Sequence, residues 1–318
     1  MGEEQGRGTY LLYRYLGTAM ASLPEPVVAP LAAVVGDLLA RRDSFPRQMA
    51  RRHLRIVLAS RSAGVPVDEE LLDRMVRRSF RSYARYWMEG ARLPRTPAGE
   101  VDQRMMIETG LDHLAAGMAA GRGVVMALPH VGSWEWGGSW LAHIGYPMTA
   151  VAERIEPPEL FEWFVAERRA MGLEIVPLDD AASGTVLKIL RDGGLVGLLC
   201  DRDLTGNGIE VDFFGERTTF PGGPALLAMR AGAMLIAGAV YSGPGRQHRA
   251  ALSSPLDLSR TGSMRDDVNR VTQDIARWFE MYIRRAPEQW HLFQPNWPSD
   301  LTDGVAAARP ETGEGSAR

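Results

Sequence analysis

Val124-Val125-Met126-Ala127-Leu128-Pro129-His130-Val131-Gly132-Ser133-Trp134-Glu135 is an apolar run of strand length that ends in proline. A histidine follows at once, and a carboxylate stands five residues beyond it. Trp136, Trp140, Leu141 and Ile144 then resume the apolar residues at helical spacing, so the stretch predicts a strand, a turn and a helix. His130 lies at the mouth of that turn and Glu135 early in the helix. In open α/β sheets, chemistry collects just outside the carboxyl ends of the strands. Histidine is the side chain most readily poised as a general base near neutral pH. A carboxylate can hold one ring nitrogen as donor while the other accepts a proton. A separation of five is about 140° around a regular helix, so His130 and Glu135 meet only if His130 stays in the turn and the two side chains fold back on each other. Free N–H groups at the helix start would favour a developing oxyanion there. The same spacing also fits a polar helix-start loop with no chemistry.

Outward from this stretch, strand and helix patterns alternate. Residues 111–120 read as a helix stopped by Gly121 and Gly123, and residues 148–152 as a short strand. Pro157 and Pro158 open a helix to about residue 171, and residues 174–177 form another strand. A helix over 182–190 ends at Gly193-Gly194, and 195–200 is a strongly apolar strand. Residues 234–241 and 249–256 read as the last strands, and 264–285 as a long amphipathic helix. The alternation predicts an α/β fold with a mixed, largely parallel central sheet flanked by helices. Asp201 stands at the exit of the apolar strand, a position equivalent to that of His130. Asp201 or Asp203 could give His130 a second carboxylate neighbour, and Arg202 could instead form a structural ion pair with either. Glu210 could line the site or be an exposed strand residue. The glycines of Pro221-Gly222-Gly223-Pro224 could bring backbone N–H groups close to an anion. No Gly-Lys-Ser/Thr follows them, so this is not a Walker loop.

The first hundred residues differ in character. Residues 1–9 are polar and are expected to be disordered. Residues 10–39 are apolar, but Pro24, Pro26 and Pro30 interrupt them, whereas a spanning helix needs about 20 nearly unbroken apolar residues. Two short helices are expected, lying on a membrane surface or packed on the core. Arg41, Arg42, Arg47, Arg51, Arg52 and Arg55 follow, then Arg74, Arg77, Arg78, Arg81 and Arg85. These could meet anionic headgroups or pair with Asp68, Glu69, Glu70 and Asp73. The expected division is 1–9 disordered, 10–104 helical and membrane-facing, 105–300 catalytic α/β core, and 301–318 a disordered tail. A net charge of -3 excludes a generally basic nucleic-acid binder. With Cys200 the sole cysteine, no intrachain disulfide or cysteine-rich zinc site can form.

Taken in order, several blocks resemble one family. His130-Val-Gly-Ser-Trp-Glu135 resembles the His-four residues-Asp/Glu motif of the glycerolipid acyltransferases. Asp201-Arg202-Asp203, Val211-Asp212-Phe213-Phe214-Gly215 and Pro221-Gly222-Gly223-Pro224-Ala225 resemble the later blocks of the late acyltransferases of lipid A. Pro287-Glu288-Gln289-Trp290-His291-Leu292-Phe293 is similar to that branch's closing motif. The branch often ends in a basic tail, but here the tail reads Gln294-Pro295-Asn296-Trp297. With the arginine-rich, lysine-poor composition, this makes the chain look most like the actinobacterial phosphatidylinositol mannoside acyltransferases. The resemblance implies transfer of a palmitoyl-type chain from acyl-CoA to a mannose hydroxyl of a mannosylated phosphatidylinositol glycolipid. His130 and Glu135 would be catalytic. Arg168 would meet the acyl carbonyl or a phosphate, unless it belongs to a solvated helix face. Asp201, Arg202, Asp203 and Glu210 would be substrate-binding candidates. No metal and no cofactor beyond acyl-CoA as co-substrate is implied. The enzyme would sit peripherally on the cytoplasmic face of the cell membrane. A lipid A-type or other glycolipid acyltransferase, a hydrolase, and a non-catalytic lipid-binding protein on the same fold are the competing readings. There is no Gly-x-Ser-x-Gly elbow.

Overall fold

The computed structural model describes residues 2–61 and 64–301. The chain opens with helices: α1 (Gly2–Ser22), α2 (Glu25–Arg41), α3 (Phe45–Ala59), α4 (Glu69–Arg92) and α5 (Ala98–Arg104). Alternating elements follow: β1 (Met105–Thr109), α6 (Leu111–Ala119), β2 (Val124–Leu128), α7 (Trp134–His143), β3 (Met148–Ala152), α8 (Pro158–Ala170), β4 (Glu174–Pro177), α9 (Ala182–Arg191) and β5 (Leu195–Leu199). A hairpin of β6 (Ile209–Phe213) and β7 (Glu216–Phe220) precedes α10 (Gly223–Ala231), β8 (Met234–Ser242), β9 (His248–Leu252) and α11 (Met264–Arg285).

The strands form one seven-stranded sheet in the order β1-β9-β8-β2-β5-β3-β4. It is mixed and largely parallel, as the sequence predicts, with β8–β9 its antiparallel pair. Every residue of β2 is buried, because helices cover both faces; a strand so placed reads as a continuous apolar run without alternation. Val124, Met126 and Leu128 pack with Leu114 of α6 and Trp136, Trp140 and Leu141 of α7. Val125 and Ala127 point the other way, toward Val186, Leu190, Ala225, Ala228, Val271, Ile275 and Phe279 of α9, α10 and α11.

Pro24 separates α1 from α2, and α2 accommodates Pro26 in its first turn and Pro30 in its interior. A Cβ on Gly36 would lie 2.5 Å from the Arg81 Cα, so glycine permits the close crossing of α2 over α4. Residues 2–9 of the polar start belong to α1, which begins at Gly2. Once the apolar register from Tyr10 has nucleated a helix, adding turns to it costs far less than starting one. Residues 302–318 of the expected tail lie outside the described residues. Many of the early arginines pair within the fold. Arg51 meets Glu69 and Asp73, Arg55 meets Glu69 at 2.7 Å, Arg81 meets Asp37 at 2.6 Å, and Arg52 meets the buried Asp300 at 2.7 Å. No helix among the described residues is long and apolar enough to cross a membrane.

Candidate active site

The pairing of β2 with β5 builds the site. Leu128 stands opposite Leu199 in parallel register, and the Cys200 N–H donates to the Leu128 carbonyl at 3.0 Å. The next residues of the two strands, His130 and Asp201, are therefore brought side by side. Asp201 is fully buried. The His130 backbone N–H donates to its Oδ2 at 2.8 Å, the His130 Nδ1 to its Oδ1 at 2.5 Å, and the Trp290 indole N–H to its Oδ2 at 2.8 Å. Burial alone would raise the Asp201 carboxyl, but the facing imidazole and these donors outweigh it and hold the group below the usual carboxylate range. An ionised Asp201 fixes Nδ1 as the protonated nitrogen and leaves Nε2 with its lone pair, the arrangement a general base needs. The His130 side chain is 35% exposed, so that nitrogen can be reached.

The loop after β2 is held by the end of the chain. Gly132 has φ +60, and a Cβ there would sit 2.1 Å from the Val240 carbonyl; only glycine fits. The Gly132 N–H donates to the Gln289 carbonyl and the Ser133 N–H to the Val240 carbonyl, both at 2.8 Å. The His291 N–H donates to the His130 carbonyl at 2.8 Å, and its ring Nε2 lies 2.9 Å from the Ser82 hydroxyl of α4. Burial and the neighbouring His130 push the His291 pKa down to about 3, so His291 stays neutral. The motif around Trp290-His291 thus acts as a brace for His130 and Asp201. The sequence marked it as a motif, with Trp290 expected to pack against the core or meet a lipid interface, but did not link it to His130.

Glu135 does not hold His130. It sits in the first turn of α7, buried, and its Oε1 accepts from Arg168 Nη2 at 2.8 Å and Nε at 3.1 Å. Tyr86 of α4 lines the same cavity wall; desolvation and the Glu135 charge together raise its pKa well above its ordinary value. The expectation of a fold-back onto His130 is corrected. The helical rise and a turn of about 140° aim Glu135 toward α4 and α8, while Asp201 takes the place beside the ring. Arg168 is not on a solvated face: its guanidinium lies 5.6 Å from the Trp134 ring and 5.5 Å from the Phe164 ring.

The other candidates separate. Asp203 does not reach His130; it accepts from the N–H groups of Thr205, Gly206 and Gly208 at 2.7–3.0 Å and braces its own loop. Arg202 is half-buried, forms no ion pair among the described residues, and lines a cavity of about 210 Å³ with Cys200, Asp203 and the first turns of α9 and α10. Glu210 is exposed on β6 and pairs with Arg217, so it is a hairpin surface residue. Among the described residues, no group of three or more His, Cys, Asp or Glu could hold a metal ion.

Beside Glu135 and Arg168 lies a much larger cavity of about 570 Å³. Tyr83, Tyr86 and Trp87 of α4, Trp163 and Phe164 of α8, and Leu12, Leu16 and Met20 of α1 wall it. Apart from the Glu135–Arg168 pair and Glu167 its lining is apolar or aromatic, which suits a hydrocarbon chain.

A family model described as bacterial lipid A biosynthesis acyltransferase matches residues 5–299. The phosphatidylinositol mannoside acyltransferase of Mycolicibacterium smegmatis is 36% identical over 302 residues, covering 94% of this chain and 94% of the relative. Those of two Mycobacterium tuberculosis strains are 37% identical over 296 residues, covering 91% of this chain and 88% of each relative.

Proposed function

The chain belongs to the bacterial lipid A biosynthesis acyltransferase family, and we propose that it moves a palmitoyl-type acyl group from acyl-CoA to a mannose hydroxyl of a phosphatidylinositol mannoside. The observation that carries this reading is the His130 ring, fixed at Nδ1 by Asp201, on the same loop-to-helix turn as the wall of a 570 Å³ apolar cavity. His130 Nε2 takes the proton of the acceptor hydroxyl as its oxygen attacks the thioester carbonyl. The C–S bond of the resulting tetrahedral intermediate breaks, and the departing thiolate takes the proton from the imidazolium. The buried Asp201 charge stabilises that imidazolium while it exists. Glu135 neutralises Arg168 and fixes it against the cavity wall. The mannoside acceptor is supported by the similarity to the mycobacterial phosphatidylinositol mannoside acyltransferases.

The same reading places the enzyme peripherally on the cytoplasmic face of the membrane. Its support is the exposed apolar side chains of α1 and α2 outside the cavity, with Tyr15 70%, Val34 57% and Leu38 53% exposed. Such a surface favours an interfacial environment. The deciding experiment offers labelled palmitoyl-CoA with separate acceptors: phosphatidylinositol mannosides, a lipid A precursor and water. Mass spectrometry identifies the product. An ester formed only on the mannoside supports the reading. Transfer to the lipid A precursor instead, or simple hydrolysis, rejects it.

A further inference from the structure

We propose that Gly17 and Trp163 together set the length of the acyl chain that the large cavity accepts. This rests on the reading of that cavity as the acyl pocket. Between Leu11 and Ala19 of α1, Gly17 is buried while its neighbours are exposed. A glycine inside a helix costs about 0.5–1 kcal/mol relative to alanine, so its place here asks for a reason. The reason is the close approach of α8. A Cβ at position 17 would meet Trp163 Cη2 at 3.1 Å and Cζ2 at 3.2 Å, tighter than an ordinary contact. Without that Cβ, the indole lies against the α1 backbone.

Both residues line the cavity, so their contact fixes how much of it is open along the α1–α8 seam. Trp163 precedes Arg168 on α8 by five residues, about 7–8 Å along the helix axis. Glu135, on the helix that follows the His130 turn, bonds Arg168, and His291, bonded to the His130 carbonyl, packs on Tyr86. The Glu135, Arg168 and Tyr86 side of the cavity is thus the side tied to His130, and Trp163 is set apart from it along α8, where a chain's distal carbons would lie. The indole is held there: its ring is 4.9 Å from that of Phe164, which in turn lies 6.1 Å from Trp87 and 6.1 Å from Tyr13. An indole packed on such a cluster and against the α1 backbone at Gly17 is a firm stop, since moving it would disturb packed neighbours.

The two residues should act with opposite sign. Gly17→Val adds bulk at the seam and penalises long chains; Trp163→Ala removes the indole and admits longer ones. One methylene that fits or fails to fit an apolar pocket changes kcat/KM by about tenfold or more. The experiment measures kcat/KM for dodecanoyl-, palmitoyl- and stearoyl-CoA with a phosphatidylinositol mannoside acceptor, for wild type and each variant. Expected is a fall of about tenfold or more in the palmitoyl-to-dodecanoyl ratio for Gly17→Val. The stearoyl-to-palmitoyl ratio should rise by a similar factor for Trp163→Ala. Gly17→Ala, a milder change, should move the first ratio in the same direction if the valine variant fails to fold. A general structural defect would lower all three donors together, and unchanged ratios in folded variants overturn the assignment. A wild-type enzyme that transfers no acyl chain from any donor would instead reject the functional reading beneath it.

Discussion

Two carboxylates flank the His130 loop, and the regions that hold them differ. Asp201 belongs to the sheet: it is the second residue past β5, fully buried, and its partners come from β2's exit and the chain's closing motif. Glu135 belongs to the helical side: its partner is Arg168 of α8, its charge acts on Tyr86 of α4, and it faces a cavity roofed by α1. The sheet region is tied by backbone hydrogen bonds along a parallel register. The helical cover rests on side-chain packing, and its outer face is apolar and exposed. A general base needs polar partners fixed around its ring, whereas an apolar cavity is made by side chains that leave a space between helices, and the two regions divide along that line.

The comparison breaks first at the ring. General-base assistance contributes about 10²–10⁴ in rate, so folded His130→Ala should lose turnover on that order. Asp201→Asn should lose a large part of the same factor, because the amide cannot stabilise the imidazolium. In the double variant, the asparagine should add little, since a group acting through the base has nothing left to orient. Glu135→Gln, acting through Arg168 and the cavity, should still impair the residual reaction of His130→Ala. Steady-state kinetics of the four variants decides this. If Glu135 rather than Asp201 becomes silent in the His130→Ala background, the two carboxylates have been assigned the wrong way round.

The second break is at the Glu135–Arg168 pair. The side chains are 9% and 20% exposed, so removing one partner strands a largely desolvated charge. Breaking a buried pair costs about 3–5 kcal/mol, and Arg168→Ala should approach the lower end of that range in denaturant unfolding. Glu135→Gln with Arg168→Met should be more stable than Arg168→Ala alone. Equal or additive losses would show that the charges do not depend on each other.

Much of this geometry was legible in the sequence, and the illegible part has one cause. The burial of residues 124–128 and 195–198 follows from unbroken apolar runs, and the placing of His130 and Asp201 at strand exits follows from their ends. That β5 lies beside β2, across 71 residues of chain between Asp201 and His130, is a matter of sheet order, which local pattern does not encode. Local reasoning therefore favoured the nearby Glu135 as the ring's partner and left Asp201 and Asp203 as equals. Arg168 was found by resemblance, but its partner depends on how α8 packs on α7. Trp290 and His291 stood inside a visible motif, yet their roles exist only once the chain's end folds over β2.

A third contrast concerns the membrane. With many early arginines engaged by Asp and Glu, attachment should depend more on the apolar row than on free charge. Burying a valine or leucine contributes about 1.5–3 kcal/mol, so Val34→Asp with Leu38→Asp should abolish sedimentation with anionic vesicles. High salt should release only part of the protein, through screening over about 8–10 Å. Complete release by salt, or no effect of the two aspartates, would reverse the ranking.

The smallest effect separates the regions by stability. His248 is fully buried, stacked on Trp136 at 4.2 Å, and burial with the nearby Arg104 and Arg85 charges lowers its pKa to about 2. His291, in the brace over the ring, is lowered to about 3. An unfolded histidine titrates near 6.5. Above that pH both states are neutral and neither residue contributes a pH dependence. Below it the unfolded chain binds protons that the folded chain refuses, so stability falls by up to about 1.4 kcal/mol per pH unit for each histidine. The decline continues until pH approaches the folded values. Asp201, with its lowered carboxyl, has the opposite linkage: its contribution is present above the unfolded carboxyl value and is lost only below about pH 4. Between about pH 6.5 and 4.5 the histidines therefore act without it. His248→Phe keeps a ring against Trp136 and should remove about one proton's slope from that window, leaving the part due to His291. Urea unfolding of wild type and variant at several pH values measures it. Parallel lines across the window would mean that His248 is charged in the folded protein, and that the core beneath α7 is wetter than its burial implies.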